Sequence, residues 1–274
     1  MNPSDLRRCR SLLFLPASNP RAIVKARALH ADMVILDCED AVKAEEKDQA
    51  RGAAVEAVAD GFPMLTAIRM NAPGTEAFGR DAVAIRDSKA DLVVLPKTET
   101  YKQVKDVVNL TGKPVLAMIE TPAGVLAAAE IAPATAGLIA GTNDLSADLG
   151  IPAGASRAGL SLSLQMIVLA ARAFGGPAFD GVWNNLEDSD GLASQCEEGR
   201  AFGFDGKSVI HPGQIETVNR IFSPTQEEIA RAERLVAAAS GGAERFEGYM
   251  IEDLHVAQAK AALAKAGYTQ TPEA

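Results

Sequence analysis

Two carboxylates, Glu120 and Asp144, occupy corresponding places in two successive segments of the chain. The first segment, residues 115–120, is a short apolar run that ends in Glu120 and is followed by Pro122, an order typical of a buried strand and the first turn of a helix. In residues 136–144, AGLIAGTND, an apolar run is again followed by an acid, with a glycine between them that lets the backbone turn. Because the C-terminal strand ends of a parallel α/β protein meet at one mouth, the two acids are predicted to share one divalent cation. Oxygen ligands without His or Cys nearby favour Mg²⁺ or Mn²⁺ over Zn²⁺.

Further polar side chains fall at or near the ends of other predicted strands, namely Asp37, Glu39, Asp40, Arg69, Lys97 and His211. Arg69 is interpreted as a group that stabilises an oxyanion or clamps a carboxylate, and an ion pair with the acids of residues 37–40 is compatible with both. Glu39 and Asp40 are predicted to hold an arginine or a metal-bound water rather than the metal itself. Lys97 could reach an anion or extend into solvent, and His211 could act in catalysis or make a structural hydrogen bond.

The elements that position these residues alternate between apolar runs and helical patterns along residues 11–222. They form about eight strand-helix units, the number expected of a closed (β/α)₈ barrel of the α/β class. An open doubly wound sheet is the alternative, but the first strand is followed by PASNPR rather than a glycine-rich dinucleotide fingerprint, and the sequence contains no P-loop. Residues 1–222 are therefore predicted to form the catalytic barrel. Residues 223–274 are predicted to add two helices, over 225–239 and 254–266, as a C-terminal extension.

The amino-acid composition argues against several kinds of partner and indicates a cellular compartment. The chain has 274 residues and a formal net charge of −9, which argues against a nucleic-acid partner. Its three cysteines are few and widely spaced, which favours a reducing cytoplasm over a disulfide framework. The N-terminal residues lack the pattern of a signal peptide, and no apolar run approaches the ~20 residues of a membrane helix. The prediction is a cytoplasmic protein without a membrane partner.

Seven segments of the sequence together carry a resemblance to a known family: RSLLFLPASNPR, DCEDAV with the following EEKDQAR, IRMN, LPKTET, MIETPAG, GTNDLSADLG and GFDGKSVIHPGQIETVN. In order and spacing they resemble the citrate lyase β-subunit-like family of the HpcH/HpaI aldolase superfamily. The resemblance implies a Mg²⁺-dependent (β/α)₈ enzyme that forms or breaks a carbon–carbon bond between an acyl-thioester enolate and a 2-oxo acid. It also implies that Glu120 and Asp144 are metal ligands and that Arg69 binds the substrate and its enolate.

The expected activity is therefore that of a lyase, which converts a 3-hydroxy-acyl-CoA such as malyl-CoA or citramalyl-CoA into an acyl-CoA and a 2-oxo acid. One alternative is a thioesterase on the same scaffold, in which water ends the reaction and free CoA is released. A second alternative is a subunit of a citryl lyase complex that depends on an acyl-carrier protein.

The phosphates of CoA need cations that a net charge of −9 does not provide overall. Five basic residues lie around the first strand and helix, where the family makes part of its CoA contact: Arg7, Arg8, Arg10, Arg21 and Lys25. Of these, Arg10, Arg21 and Lys25, together with Lys97, are predicted to bind substrate. A solvated basic face is the alternative for each.

The segment GYMIEDLHVAQAKAA resembles the family segment in which an aspartate after Met-Ile is the general acid/base, but Glu252 stands at that position and Asp253 follows it. Glu252 is the predicted proton donor, with Asp253 as its substitute, and a helix-starting role for Glu252 is the alternative. The glycine-rich SGG before this segment suggests a mobile lid. The resemblance implies that the lid closes over a neighbouring subunit, which predicts a homo-oligomer, either a trimer or a hexamer.

Overall fold

A closed barrel of eight parallel strands forms the larger part of the computed structural model, which describes residues 6–267. The strands follow one another around the barrel in chain order, and β1 pairs with both β2 and β8. This closure confirms the predicted (β/α)₈ fold and shows that the open doubly wound alternative is wrong. The strands are β1 (Ser11–Pro16), β2 (Met33–Asp37), β3 (Leu65–Arg69), β4 (Leu92–Leu95), β5 (Val115–Ile119), β6 (Gly137–Ala140), β7 (Ala178–Asp180) and β8 (Gly206–Val209).

Alternate residues of the strands fill the interior of the barrel. Leu12 and Phe14 of β1 and Met33 and Ile35 of β2 belong to one buried cluster, which also includes Phe179 of β7. The intervening residues face the surrounding helices, so the strands are buried on both faces and most of their sequences are apolar. This explains why short apolar runs without alternation were sufficient to predict the strands. β8 is an exception, because it contains the buried Lys207 and Ser208.

Helices connect the strands and surround them. Their bounds are α1 (Pro20–Ala26), α2 (Lys47–Asp60), α3 (Glu76–Arg86), α4 (Tyr101–Thr111), α5 (Pro122–Leu126), α6 (Ala128–Ile131), α7 (Thr142–Asp148), α8 (Ser161–Ala173), α9 (Ser189–Phe202) and α10 (Ile215–Phe222). Short 3₁₀ helices occupy Ala44–Glu46, Ala132–Ala134, Arg157–Leu160 and Pro212–Gln214. The start of α5 shows how a capping residue begins a helix. Thr121 accepts a hydrogen bond from the N–H of Gly124, and Pro122 takes the first helical position, as predicted.

Several strands end before the end of the segment that the sequence predicts as a strand, and the clearest cases are the predicted segments 33–40, 65–71 and 179–183. β2 ends at Asp37 instead of residue 40, β3 at Arg69 instead of residue 71, and β7 at Asp180 instead of residue 183. Asp37 accepts hydrogen bonds from the N–H groups of Glu39 and Ala41, which turns the chain out of the sheet. The residues after each strand therefore lie in loops at the C-terminal end of the barrel.

The chain divides into two compact units, Met1–Asn219 and Arg220–Ala274. The described part of the second unit contains α11 (Gln226–Ala238), a hairpin of β9 (Glu244–Phe246) and β10 (Tyr249–Ile251), and α12 (Asp253–Lys265). Ile229, Leu235, Ile251 and Leu263 belong to a hydrophobic core of this unit alone. The hairpin was not predicted. Among residues 6–267, no helix has the length and apolar character needed to cross a lipid bilayer.

Candidate active site

A cavity of about 410 Å³ opens among the C-terminal ends of the barrel strands. Phe14, Met118, Val182 and Ile210 form much of its apolar wall. Charged residues from four strand ends also line it: Asp37, Asp40, Arg69, Glu120 and Asp144. Eight polar residues were expected to converge on one mouth, and the structure brings five of them together in this cavity: Asp37, Asp40, Arg69, Glu120 and Asp144. Glu39 and Lys97 lie beside these residues.

Glu120 lies directly after β5, and its side chain is almost completely buried. The backbone N–H of Lys97 donates to Oε1 of Glu120 at 2.7 Å. Burial raises the pKa of Glu120 to about 8, although this N–H and the Arg69 guanidinium both lower it, and the charge of Asp144 raises it further. A buried acid that is difficult to ionise alone is suited to a cation that compensates its charge.

Gly141 leaves the space that Glu120 occupies. A Cβ atom at Gly141 would lie 2.3 Å from Cβ and 2.5 Å from Oε2 of Glu120, closer than atoms can approach. The glycine between the apolar run and the acid of the second unit therefore has a steric cause that the sequence alone did not show, because it accommodates the acid of the first unit.

Asp144 lies in the first turn of α7, half-buried, and lines the same cavity as Glu120. Among residues 6–267, no group of three or more His, Cys, Asp or Glu side chains is arranged to hold a metal. Mg²⁺ commonly takes one or two carboxylates and fills its other positions with water or substrate oxygens. Two carboxylates at a cavity that leaves room for a small molecule therefore fit Mg²⁺, and the same oxygen ligands would accept Mn²⁺.

Arg69 ends β3 with its guanidinium buried, 7% of the residue being exposed. Its Nε donates to Oδ1 of Asp37 at 2.7 Å, and its Nη2 donates to Oδ2 at 2.5 Å. Nη1 lies 3.2 Å from Oε2 of Glu39 and 3.6 Å from Oδ2 of Asp40. Burial lowers the pKa of Arg69, but the three acids together raise it more, so the group stays charged. The ion pair with the acids and the position at the cavity occur together, as the sequence interpretation allowed.

Glu39 and Asp40 differ in environment. Glu39 is buried, and its burial raises its pKa to about 7 although the nearby Arg69 lowers it. Asp40 is exposed and lines the cavity. Both lie beside Arg69, in agreement with the predicted role of holding an arginine.

Lys97 and His211 show different arrangements. Lys97 has a left-handed backbone, with φ of 47°, which directs its N–H to Glu120. Burial lowers the pKa of its ammonium, but the charges of Asp144, Glu39, Asp40 and Glu120 raise it overall, so the exposed ammonium is a cation near the acids of the cavity. His211 is exposed, and its Nδ1 accepts the N–H of Gly213 at 3.1 Å as the cap of a 3₁₀ helix. The structural interpretation of His211 fits this hydrogen bond.

The basic residues predicted to bind CoA lie at different ends of β1. Arg10 precedes β1 and pairs with Asp32, which precedes β2, through a contact of 2.8 Å. Both residues therefore lie at the N-terminal end of the barrel, opposite the cavity. Arg21 and Lys25 are exposed on α1, which follows the C-terminal end of β1. Charge counting along the sequence could not separate the two ends of a strand that is only six residues long.

Glu252 and Asp253 lie in the second unit, where both are exposed. Glu252 immediately precedes α12, and its N–H donates to Nδ1 of His255 at 3.0 Å. Oδ1 of Asp253 accepts the N–H of Gly242 at 3.3 Å. The helix-starting position of Glu252 is thus present, and it leaves the carboxylate accessible.

The loop after β7 contributes residues that sequence reasoning missed. Val182 and Asn184 line the cavity, and Nδ2 of Asn184 donates to Oδ1 of Asn143, next to Asp144, at 2.7 Å. Lys207, fully buried, anchors this loop by donating to the carbonyl oxygen of Gly181. The sequence signal for this loop was the polar pair Asn184 and Asn185, which follows FDGVW. The loop was missed because the strand was predicted to continue to residue 183.

Comparison with known proteins gives concordant results. The profile of the HpcH/HpaI aldolase/citrate lyase family matches residues 10–212, and that of a C–C bond lyase of the TIM-barrel fold matches residues 162–268. A (3S)-malyl-CoA thioesterase from Cereibacter sphaeroides is 42% identical over 269 residues, with 94% of each chain covered.

Two solved structures from Mycobacterium tuberculosis are similar to this chain. Protein CitE in complex with magnesium, acetoacetate and coenzyme A superposes with a TM-score of 0.82 at 37% identity, over 96% of this chain and 100% of that one. The citrate lyase beta subunit complexed with oxaloacetate and magnesium superposes with a TM-score of 0.72 at 37% identity, over 80% and 100%. With the family profile covering most of the barrel, these likenesses confirm the resemblance found in the sequence: the chain belongs to the HpcH/HpaI aldolase/citrate lyase family.

Proposed function

We propose that this protein is a Mg²⁺-dependent carbon–carbon lyase that cleaves a 3-hydroxy-acyl-CoA such as malyl-CoA or citramalyl-CoA into an acyl-CoA and a 2-oxo acid. One observation carries the proposal: the buried guanidinium of Arg69 lines the same small cavity as the carboxylates of Glu120 and Asp144. The similar proteins crystallised with magnesium and coenzyme A, or with magnesium and oxaloacetate, support the ligand classes.

Each group has a distinct chemical task. Glu120 and Asp144 would hold the cation, which when bound polarises the oxygens of the 2-oxo acid half of the substrate. Arg69 donates hydrogen bonds to the thioester oxygen and offsets the negative charge that this oxygen gains as the carbon–carbon bond breaks. Asp37 keeps the guanidinium fixed through two hydrogen bonds, so little reorganisation is needed during the reaction.

Binding of CoA and transfer of a proton are assigned to other residues. Lys97, at the cavity, and Arg21 and Lys25, on α1, offer cations to the phosphates. Glu252 is the general acid/base, which takes the proton of the 3-hydroxyl group as the carbon–carbon bond breaks and gives a proton to the acyl-CoA enolate, with Asp253 as its substitute. Residues 223–274 then act as a lid over the barrel of a neighbouring subunit in a homo-oligomer, a trimer or a hexamer, in the cytoplasm.

The thioesterase is the second candidate, because the relative at 42% identity carries that name. Both activities need the thioester in the same cavity, and they differ in what leaves it. A lyase produces an acyl-CoA and a 2-oxo acid, whereas a thioesterase produces free CoA. The cavity offers no feature that favours hydrolysis over cleavage of the carbon–carbon bond, so the lyase stands as the proposal.

The test is product analysis by mass spectrometry after purified protein is incubated with malyl-CoA or citramalyl-CoA and Mg²⁺. Acyl-CoA and 2-oxo acid in equal amounts support the lyase. If free CoA is the first product and no 2-oxo acid forms, the protein is a thioesterase and the lyase proposal is wrong. Turnover of CoA esters by the purified chain alone would also exclude dependence on a carrier protein and a larger complex.

A further inference from the structure

The three acids around Arg69 belong to one short segment, residues 37–40, which we call the acidic loop. Asp37, Glu39 and Asp40 all lie within 3.6 Å of the guanidinium. The position of Arg69 at the cavity therefore depends on the conformation of this loop. Loops are normally the least constrained parts of a fold, so a loop with such a task requires its own support.

Lys47, in the first turn of α2, provides that support from the backbone side. Its Nζ donates to the carbonyl oxygen of Cys38 at 3.0 Å and to that of Glu39 at 2.6 Å. The two carbonyls belong to the residues between Asp37 and Asp40. A single ammonium thus fixes two successive peptide groups of the acidic loop, and charged donors make stronger hydrogen bonds than neutral ones.

Asn71 reinforces the same point of the loop. Its Nδ2 donates to the carbonyl oxygen of Cys38 at 3.0 Å and to Oδ2 of Asp81 at 2.7 Å. Asp81 is buried, and its Oδ1 accepts a hydrogen bond of 2.6 Å from Nε of Arg51, which lies one turn after Lys47 on α2. Two side chains of one helix therefore converge on the acidic loop, Lys47 directly and Arg51 through Asp81 and Asn71.

The charge of Lys47 has a second effect. The acidic loop places three carboxylates around one guanidinium, so carboxylates outnumber the cation there. The half-buried ammonium of Lys47 adds a positive charge at the loop backbone and reduces the repulsion among these acids. A neutral side chain of equal length would remove both the hydrogen bonds and this charge.

We propose that Lys47 is a positioning residue for Arg69, which it holds at the cavity through the acidic loop without contacting the substrate. The inference rests on the proposed lyase function. A displacement near 1 Å of a catalytic group can reduce turnover by as much as ~100-fold, so loss of Lys47 is expected to lower kcat roughly 10- to 100-fold. The KM for the CoA ester should change much less, because Arg21 and Lys25, which are proposed to bind the CoA phosphates, lie on α1 and not on the acidic loop.

The chain offers a matched control. Nζ of Lys113 also donates to two backbone carbonyls, those of Ser88 at 3.0 Å and Ala90 at 2.8 Å. These residues precede β4 and lie at the N-terminal end of the barrel, opposite the cavity. Lys47→Met and Lys113→Met therefore delete the same kind of contact, and a purely structural role predicts similar losses of melting temperature and unchanged kcat in both.

The experiment compares both variants and Lys47→Arg for kcat, KM, melting temperature and hydrogen exchange of the amides of Glu39 and Ala41, which donate to Asp37. The inference predicts that Lys47→Met alone loses kcat and exchanges these amides faster, and that Lys47→Arg, which can still donate to two carbonyls, recovers much of both. Wild-type kcat and exchange in Lys47→Met would overturn it.

The experiment distinguishes failure of the proposed lyase function from failure of the inference about Lys47. If the wild-type protein cleaves no CoA ester, the lyase proposal fails, and the exchange rates of the acidic loop still decide whether Lys47 holds it. Faster exchange in Lys47→Met than in Lys113→Met supports the inference in that case, and equal exchange in both variants refutes it.

Discussion

Replacement of Gly141 by alanine tests the steric relation between the two candidate metal ligands. The added Cβ would lie 2.3 Å from Cβ and 2.5 Å from Oε2 of Glu120, whereas ordinary contacts begin at 3.4 Å. Glu120 must therefore move by about 1 Å, since well-packed interiors have no free space to absorb the methyl group. The φ of Gly141 is −95°, outside the left-handed region that favours glycine, so the contact with Glu120 is the main cost of the exchange.

The magnitude follows from this displacement. Forcing one methyl group into a packed site typically costs about 1–3 kcal/mol of the free energy of unfolding. For a chain of this size, such a loss lowers the melting temperature by roughly 2–10 °C. Activity should decline more, because Mg²⁺ demands near-ideal geometry and a misplacement of about 1 Å can reduce turnover ~100-fold.

The assay is calorimetric titration with Mg²⁺, together with kcat and the melting temperature. Gly79→Ala is the control, because Gly79 lies inside α3 with no atom within 4 Å of a Cβ built there. This exchange should stabilise the helix by about 0.5–1 kcal/mol and leave Mg²⁺ binding unchanged. Wild-type Mg²⁺ affinity and kcat in Gly141→Ala would refute the idea that the position of Glu120 determines metal binding.

Three further predictions concern the other site residues. Arg69→Lys keeps the charge but loses the paired hydrogen bonds to Asp37, so kcat for the CoA ester should fall ~100- to 1,000-fold, and an unchanged kcat would remove Arg69 from the mechanism. The double replacement of Arg21 and Lys25 by alanine should raise the KM for the CoA ester far more than it changes kcat, whereas an unaltered KM would place the CoA phosphates elsewhere. Glu252→Gln should slow both turnover and exchange of the acyl-CoA α-protons in deuterated buffer, with Asp253→Asn as the companion variant. If turnover and α-proton exchange both persist in Glu252→Gln, Glu252 only starts α12 and is not the proton donor.

The barrel was predictable because most of the buried strands have apolar sequences and several of the helices that follow have their own start signals. Val115–Ile119, with Thr121 and Pro122 behind it, shows both features within eight residues. The places of the acids after β5 and β6 were also predictable, since a charged residue that follows a buried strand, directly as Glu120 or in the next helical turn as Asp144, lies at the barrel end.

Other features depended on geometry that the sequence does not encode locally. Arg10 precedes β1 and Arg21 follows it. Only the direction of the strand places Arg21 at the cavity end of the barrel and Arg10 at the opposite end. The hairpin of β9 and β10 turns at Glu247 and Gly248, both with positive φ, and glutamate is not a usual residue for such a turn. Arg231 and Arg234 pair with the Glu247 carboxylate at 3.3 and 2.8 Å, contacts that a local pattern could not indicate.

The dependence of carbon–carbon bond cleavage on Mg²⁺ in Glu120→Gln and Asp144→Asn tests the central claim most directly. The rate of acyl-CoA formation from malyl-CoA or citramalyl-CoA would be measured over a range of Mg²⁺ concentrations after removal of metal with EDTA. The wild-type protein should regain activity as Mg²⁺ is added. Both variants should keep melting temperatures near that of the wild type, because each exchange preserves side-chain shape, but should stay inactive at every Mg²⁺ concentration. Full activity in both variants would contradict the assignment of Glu120 and Asp144 as the metal ligands and, with it, the proposed mechanism.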